Sequence, residues 1–330
     1  MSWKILVTGG AGYVGSNLVP KLLDKGHEVV VLDLFIYGKD ALCSSRSNKK
    51  LKEIEGDIRN LKTVETALQG CNAVIHLACI SNDPSYDLNP ILGRSINYSS
   101  FRPLVLAAKK ADVKRFIFAS SSSVYGIKNE LEVCEDLSLE PLTDYSKYKV
   151  LCEKILQEEH EPGFVTCIVR PSTVCGYAPR QRLDVVVNIL TNHAINTGRI
   201  KVFGGTQKRP NIHIEDMSEL YCFLLEQSDE LVDGKIFNAG YENYTLIELA
   251  EIVKSVISND LKIDIEPTND LRSYHVSSQK LKNELGFEPK NSIEKAVQGL
   301  KKAFEDGRLP NSMEDSKYFN IKKMQEIKLA

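Results

Sequence analysis

Tyr145 and Lys149 lie four residues apart in Tyr145-Ser146-Lys147-Tyr148-Lys149, so a helix there sets both on one face. An ammonium beside a phenol favours the phenolate and draws its pKa down towards neutrality. Such a phenol takes the proton of a sugar hydroxyl and returns it in the reverse direction. Upstream, Ser120-Ser121-Ser122-Ser123 follows the apolar run Arg115 to Ala119. That places hydroxyls at the carboxyl end of a strand, where open α/β sheets bind ligands and where a serine can help pass the proton.

A third constellation opens the chain. Thr8-Gly9-Gly10-Ala11-Gly12-Tyr13-Val14-Gly15 stands between the apolar run Lys4 to Val7 and a helical pattern through Leu18, Leu22 and Leu23. Gly9 and Gly10 allow the tight turn, and Gly12 places no side chain between the backbone and a pyrophosphate. Gly15 lets the helix pack close to the strand, with its N-terminal N–H groups facing the phosphates. A second strand, Glu28 to Leu32, ends in Asp33, about 20 residues past the glycines as the dinucleotide fingerprint requires. A carboxylate there accepts hydrogen bonds from the adenosine ribose and repels a 2′-phosphate, which favours NAD over NADP.

The elements that must position these residues alternate. A helix with Leu61, Val64 and Leu68 precedes the nearly continuous apolar run Ala73 to Ala78, the pattern of a strand buried on both faces. Pro90 to Lys110 reads as one long helix, Arg115 to Ala119 as a strand, Asp144 to His160 as a helix and Phe164 to Val169 as a strand. Such alternation predicts a Rossmann-type, doubly wound parallel sheet covered on both faces. Beyond Gly176 the glycines and prolines multiply, with helices expected at 184–197, 216–226, 245–257, 277–285 and 293–304. Residues 1–176 with about 211–240 are read as the dinucleotide domain, and about 177–210 with 241–310 as a smaller α/β substrate lobe. Residues 311–330 are polar, a tail or an arm.

Composition bounds the partners. The chain has 330 residues, 42% of them hydrophobic, and a net charge of −2. Nothing in it points to nucleic acid or to an anionic membrane surface. Its eight cysteines form no CxxC pair and read as thiols in a reducing cytoplasm, neither a disulfide frame nor a zinc site. The first strand begins at residue 4, so no signal peptide is expected, and no apolar run has the roughly 18 residues of a membrane span.

Together these motifs resemble the extended short-chain dehydrogenase/reductases, in their nucleotide-sugar epimerase and dehydratase branch. The resemblance runs to about Phe304. It rests on the glycine turn, Asp33, Gly56-Asp57-Ile58, His76-Leu77-Ala78, Asn97, the serine run, Tyr145 and Lys149, Arg170-Pro171, and Arg209-Pro210-Asn211-Ile212-His213. It implies NAD as cofactor, with Asp57 and Ile58 at the adenine and Leu77 and Ala78 along the cofactor, Ala78 beside its phosphates. Asn97 is implied beneath the nicotinamide side, and Tyr13, Val14 and Pro171 as further cofactor contacts. Ser121 matches the catalytic serine or threonine, Tyr145 the base, and Lys149 also the ligand of the nicotinamide ribose. Arg209 and Arg272 match the two arginines on the substrate pyrophosphate, where bidentate guanidinium pairing suits the ligand. Ser122, Ser123, Asn188 and Arg180 are implied near the substrate. No metal is implied.

Departures narrow the reaction. The resembled 4,6-dehydratases place Asp-Glu after the catalytic threonine, and the decarboxylases use a Glu before Val-Tyr. Here those positions are Ser122 and Ser123. Thr173 also replaces an asparagine often found in the resembled enzymes. The segment Gly176 to Asp184 resembles a subgroup that includes C4 dehydrogenases of nucleotide-linked heptoses. The expected reaction is NAD-dependent oxidation at C4 of a nucleotide-linked sugar through a 4-keto intermediate, foremost a 4-epimerase in a homodimer. Net C4 dehydrogenation, 4,6-dehydration and a non-catalytic NAD-binding regulator are the alternatives. His76 and His213 are expected to be structural, the Lys-rich stretch at 49–52 a solvated face, and Arg180 and Arg182 either a solvated loop or substrate contacts.

Overall fold

The computed structural model describes residues 2–81, 83–130, 132–268, 273 and 275–327. The amino-terminal half alternates strand and helix: β1 (Lys4–Thr8), α1 (Tyr13–Asp24), β2 (Glu28–Asp33), β3 (Leu51–Glu55), α2 (Leu61–Leu68) and β4 (Ala73–His76). Helices α3 (Asp83–Asp87), α4 (Pro90–Arg94) and α5 (Phe101–Lys110) lead to β5 (Arg115–Ala119), α6 (Asp144–Glu158) and β6 (Val165–Pro171). Then come β7 (Thr173–Cys175), α7 (Val186–Thr197), β8 (Arg199–Phe203), β9 (Lys208–His213), α8 (Ile214–Glu226), α9 (Asp229–Val232) and β10 (Lys235–Ala239). The chain closes with β11 (Glu242–Thr245), α10 (Leu246–Ile257), β12 (Lys262–Glu266), α11 (Gln279–Leu285), α12 (Ile293–Glu305) and α13 (Asn320–Ile327).

Seven strands form the main sheet in the order β10-β6-β5-β4-β1-β2-β3, and every pairing in it is parallel. The order reverses at β1, with β2 on one side and β4 on the other, so the carboxyl ends of β1 and β4 open the crevice expected at such a switch point. Thr8 is level with both Leu32 and His76, which brings the glycine turn, Asp33 and Leu77 to one edge. Alternate residues of β1 supply both faces of the core. Ile5 and Val7 pack on the side of Leu18, Leu22, Met217 and Leu220, whereas Leu6 packs with Val64, Leu68, Phe101 and Leu104.

The second lobe has its own core, built from Cys175, Val187, Leu190, Leu249, Val253, Ala296 and Val297. Two small sheets, β11-β9-β7 and β12-β8, flank it. The lobes interleave more finely than the sequence suggests. β7 lies before residue 176 yet pairs with β9 in a lobe sheet. Leu281 of α11, placed in the lobe by its number, is buried in the main-sheet core with Phe287.

The expected helix from Pro90 to Lys110 carries a π-turn at Ser95–Ser99. Pro103 has no N–H to give the carbonyl four residues back, and the Ser100 N–H reaches five residues back to the Ser95 carbonyl at 3.2 Å. Of the two readings of the final segment, residues 311–327 form an arm. Tyr318 packs with Leu183, Ala303 and Leu309, and Met324 of α13 inserts beside Leu92, Cys152 and Ile155. Among the described residues no helix is long and apolar enough to cross a membrane.

Candidate active site

A cleft of about 510 Å³ runs across the carboxyl ends of the main sheet. Its lining includes Gly9, Gly12, Tyr13, Val14 and Gly15, then Asp33, Asp57, Ile58, Leu77 and Ala78, and finally Ser121, Ser122, Ser123, Tyr145, Lys149 and Pro171. Residues from seven separate stretches of the chain thus meet in one cavity, because parallel strands present all their carboxyl ends to the same side.

The glycine turn makes a cradle that side chains would fill. Gly9 has φ +74°, and a Cβ there would lie 2.7 Å from the Ala78 nitrogen. On Gly15 a Cβ would lie 2.5 Å from the Gly9 carbonyl oxygen. Helix α1 begins at Tyr13 with no side-chain cap and no acidic residue in its first turn, so its N–H groups are available to an anion. Asp33 is shaped for the neighbouring position. Its Oδ2 accepts the Ala11 N–H at 3.0 Å and its Oδ1 the Phe35 N–H at 2.8 Å. Burial raises its pKa, opposed by those backbone hydrogen bonds. Each oxygen keeps a lone pair for a ribose hydroxyl. The cradle, the open helix end and Asp33 fit the phosphates and adenosine ribose of NAD.

At the far end of the cleft, a capping box between Thr143 and Ser146 starts α6 and sets Tyr145 in its first turn. Lys149, one turn on, is buried. Its Nζ donates to the Ala119 carbonyl at 2.6 Å and lies 5.8 Å from the Tyr145 ring centre. The Ser121 Oγ accepts the Ser123 N–H at 3.1 Å and lies 2.9 Å from the Ser123 Oγ. Behind them Ser120 donates to Glu153, which pairs with Arg170 at 2.7 Å. Arg170 in turn donates to the Tyr125 hydroxyl at 2.8 Å, and that hydroxyl donates to Asn238 Oδ1 at 2.7 Å. This buried network fixes the serine strand end against α6. His76 lies beneath it, bonded to the Thr8 hydroxyl at 2.7 Å. Burial pushes its pKa down to about 3, helped by the nearby Lys149 charge, so it stays neutral, consistent with a structural part.

Two expected contacts, Asn97 and Asn188, lie outside the cleft lining, and a third, Tyr13, lines it with its hydroxyl engaged elsewhere. Asn97 turns away from the cleft: its Oδ1 accepts the Ile80 N–H at 2.8 Å and its Nδ2 donates to the Ile80 carbonyl at 2.9 Å. It holds the loop after β4. Asn188 is fully buried outside the cleft and takes the Gly176 N–H at 2.9 Å while donating to the Tyr13 hydroxyl at 3.0 Å and the Arg182 carbonyl at 2.7 Å. Its amide oxygen and both amide N–H groups are engaged in shaping the 176–182 loop, away from the cleft. Tyr13 lines the cleft, but its hydroxyl donates to the Gly176 carbonyl at 2.6 Å, and burial raises its pKa.

Arg209 lines the cleft from β9, with Nη1 on the Lys208 carbonyl at 3.0 Å. Arg272 lies outside the described residues. Arg180 is buried, so it is no solvated loop residue; it lines the cleft, and its guanidinium stacks 3.6 Å over the Tyr37 ring centre. Asn320, Asp184 and Ser81 also line the cleft and were not expected to. Asn320 comes from the arm, and no local pattern around it marks it as a cleft residue.

Comparison with known proteins places the chain in a family. Residues 5–240 match the NAD dependent epimerase/dehydratase family. The UDP-glucose 4-epimerase of Lactobacillus helveticus is 29% identical over 311 residues, covering 87% of this chain and 92% of that one. UDP-glucuronic acid decarboxylase 1 of Arabidopsis thaliana is 32% identical over 306 residues, 89% of this chain and 68% of that one. The structure of UDP-glucuronic acid 4-epimerase from Bacillus cereus, in complex with UDP-glucuronic acid and NAD, superposes with a TM-score of 0.83 at 25% identity, covering 92% of this chain and 99% of that one. The chain belongs to the NAD dependent epimerase/dehydratase family. It is an enzyme, and NAD is its cofactor.

Proposed function

We propose that this enzyme interconverts the C4 epimers of a nucleoside-diphosphate sugar. The observation that carries the reading is the meeting of Ser121, Tyr145 and Lys149 with the dinucleotide cradle in one cleft. Relatives named for UDP-glucose and UDP-glucuronic acid support the substrate class. Ser122 and Ser123 stand where the resembled eliminating enzymes carry acids, so the carboxyl groups that serve those reactions are replaced here by hydroxyls, which are far weaker acids and bases.

NAD, when bound, supplies the hydride acceptor and donor for C4. The chain's own residues handle the proton. Tyr145 takes it from the C4 hydroxyl, with Ser121 hydrogen-bonded to the same oxygen. Lys149, fixed by the Ala119 carbonyl, keeps a positive charge beside the phenol and favours the phenolate. When the planar 4-keto sugar has presented its other face, Tyr145 returns the proton. Arg209 holds the substrate pyrophosphate, a part that does not react, and so orients the sugar. Asp33, Asp57, Ile58 and Ala78 hold the adenosine half of the cofactor.

The assembly we infer is a homodimer through α4, α5 and α6. Ile91 is 84% exposed, Leu106 47% and Leu151 36%, an apolar surface that a two-fold partner covers. The five buried thiols, Cys71, Cys152, Cys167, Cys175 and Cys222, support the cytoplasm as its compartment. Incubation with UDP-, GDP-, CDP- and dTDP-sugars, with products read by NMR, tests the function. The C4 epimer of one of them is the expected product. No turnover of any sugar in the panel would overturn the reading.

A further inference from the structure

Arg180 is a buried cation with no carboxylate in direct contact among the described residues; Asp184 and Asp33 act on it only from a distance. The residue is 5% exposed. Its Nη2 donates to Asn320 Oδ1 at 2.6 Å, and its Nε is buried with no hydrogen-bond partner among the described residues. No carboxylate forms a salt bridge with it among the described residues, whereas the neighbouring Arg182 pairs with Asp184 at 2.6 Å. The two respond in opposite ways. Burial lowers the Arg180 pKa to about 10. For Arg182, burial acts in the same sense, but Asp184 more than offsets it and the pKa is raised. A buried guanidinium held by one neutral acceptor and a ring face, with the Asp184 and Asp33 charges only at a distance, keeps donors for an arriving anion and is costly until one binds.

Position says which anion. The Arg180 N–H donates to the Ser16 hydroxyl at 3.1 Å, in the first turns of α1, the helix end that faces phosphates. Its guanidinium covers Tyr37, four residues beyond Asp33 at the end of β2. In the sheet, β2 is three strands from β5, which carries the serines, and strands are about 4.8 Å apart. Arg180 therefore belongs to the cofactor half of the cleft, away from the sugar.

Asn320 sets its direction. While accepting from Arg180, Asn320 gives its Nδ2 to Ser81 Oγ at 2.9 Å and its backbone N–H to Asp184 Oδ2 at 2.8 Å. Tyr318 and Met324 bury the arm on either side of it, so the arm straps the 180–184 segment across the cleft.

We propose that Arg180, aimed by Asn320 of the carboxyl-terminal arm, binds the pyrophosphate of the dinucleotide cofactor. The substrate lobe and the arm then complete the cofactor site, with Arg180 a binding residue and Asn320 a positioning residue.

The test is calorimetric titration of the full chain, stripped of cofactor, with NAD, ADP-ribose, adenosine, NADP and UDP-glucose. Arg180→Ala is expected to weaken NAD and ADP-ribose by about tenfold or more, the loss of one charge-assisted pair, with adenosine unchanged. Arg180→Lys keeps the charge and loses less. Asn320→Ala shows the same ligand pattern at about threefold, and it decides the matter if Arg180→Ala does not fold. NAD and ADP-ribose binding as in the parent chain would overturn the proposal. So would a loss confined to NADP, which would assign Arg180 to a 2′-phosphate, or a loss confined to UDP-glucose, which would return it to the substrate.

Discussion

Lys149 Nζ is held by the Ala119 carbonyl at 2.6 Å and lies 5.8 Å from the centre of the Tyr145 ring. The contact joins the end of β5 to the start of α6, so the ammonium cannot swing away from the phenol without breaking a partly buried hydrogen bond. One strand end and one helix face fix the spacing of the proposed base and its activating charge.

Tyr145→Phe removes the ionisable hydroxyl and keeps the ring. Turnover is expected to fall by about 10²–10⁴-fold, the range of a positioned acid/base, while substrate binding survives. Lys149→Ala should match it and also weaken NAD. Ser121→Ala should be milder, because the neighbouring Ser123 hydroxyl at 2.9 Å can substitute in part. Steady-state kinetics on the preferred sugar checks all three.

Asp33→Ala should weaken NAD and narrow its advantage over NADP. The carboxylate is lost as an acceptor for the ribose and as a barrier to a 2′-phosphate, and the Ala11 and Phe35 N–H groups lose their shared anchor. Titration of the variant with both cofactors gives the ratio; an unchanged ratio would remove Asp33 from cofactor choice.

Arg209→Ala should act mainly on KM. The side chain lines the cleft from β9 and is assigned to a group that does not react. Some loss of kcat accompanies it, since remote binding also orients the sugar. A fall in kcat with KM unchanged would count against a grip on the ground-state substrate.

His76 predicts an acid-sensitive fold. Its pKa is near 3 when folded and about 6.5 in the unfolded chain. Between these values the unfolded state binds the extra proton, so stability is full above pH 6.5 and declines as pH falls, by up to about 1.4 kcal/mol per unit. His76→Phe removes the titrating group among Phe101, Phe116 and Phe118. Urea unfolding at several pH values should show a shallower slope for the variant, although its stability is lower because Thr8 loses its short hydrogen bond to the imidazole.

The parts legible in the sequence are those whose signal is local. The glycine turn, the Asp33 position and the Tyr145–Lys149 spacing each lie within one strand, turn or helix, and the fold brings them into one cleft. The places of Asn97, Asn188 and Arg180 are not legible in the sequence, for a common reason. An asparagine or arginine offers the same donors to a ligand as to a distant backbone group, and sequence spacing does not say which takes them. The Tyr13–Asn188 bond joins residues 175 apart, and the Arg180–Asn320 bond residues 140 apart. The arm was open for a similar reason. Its anchors, Tyr318 and Met324, are isolated apolar residues in a polar stretch, and only the surfaces they meet give them a place.

The central claim is that C4 is oxidised and then reduced by the same hydride, with Tyr145 handling only the hydroxyl proton. The most direct measurement uses a nucleotide sugar deuterated at C4, with the product examined by NMR and mass spectrometry in ordinary water. The account predicts a C4 epimer that keeps its deuterium at C4, with no net reduction of the nicotinamide. Deuterium lost to water, or a labelled nicotinamide accumulating beside a released ketone, would contradict it.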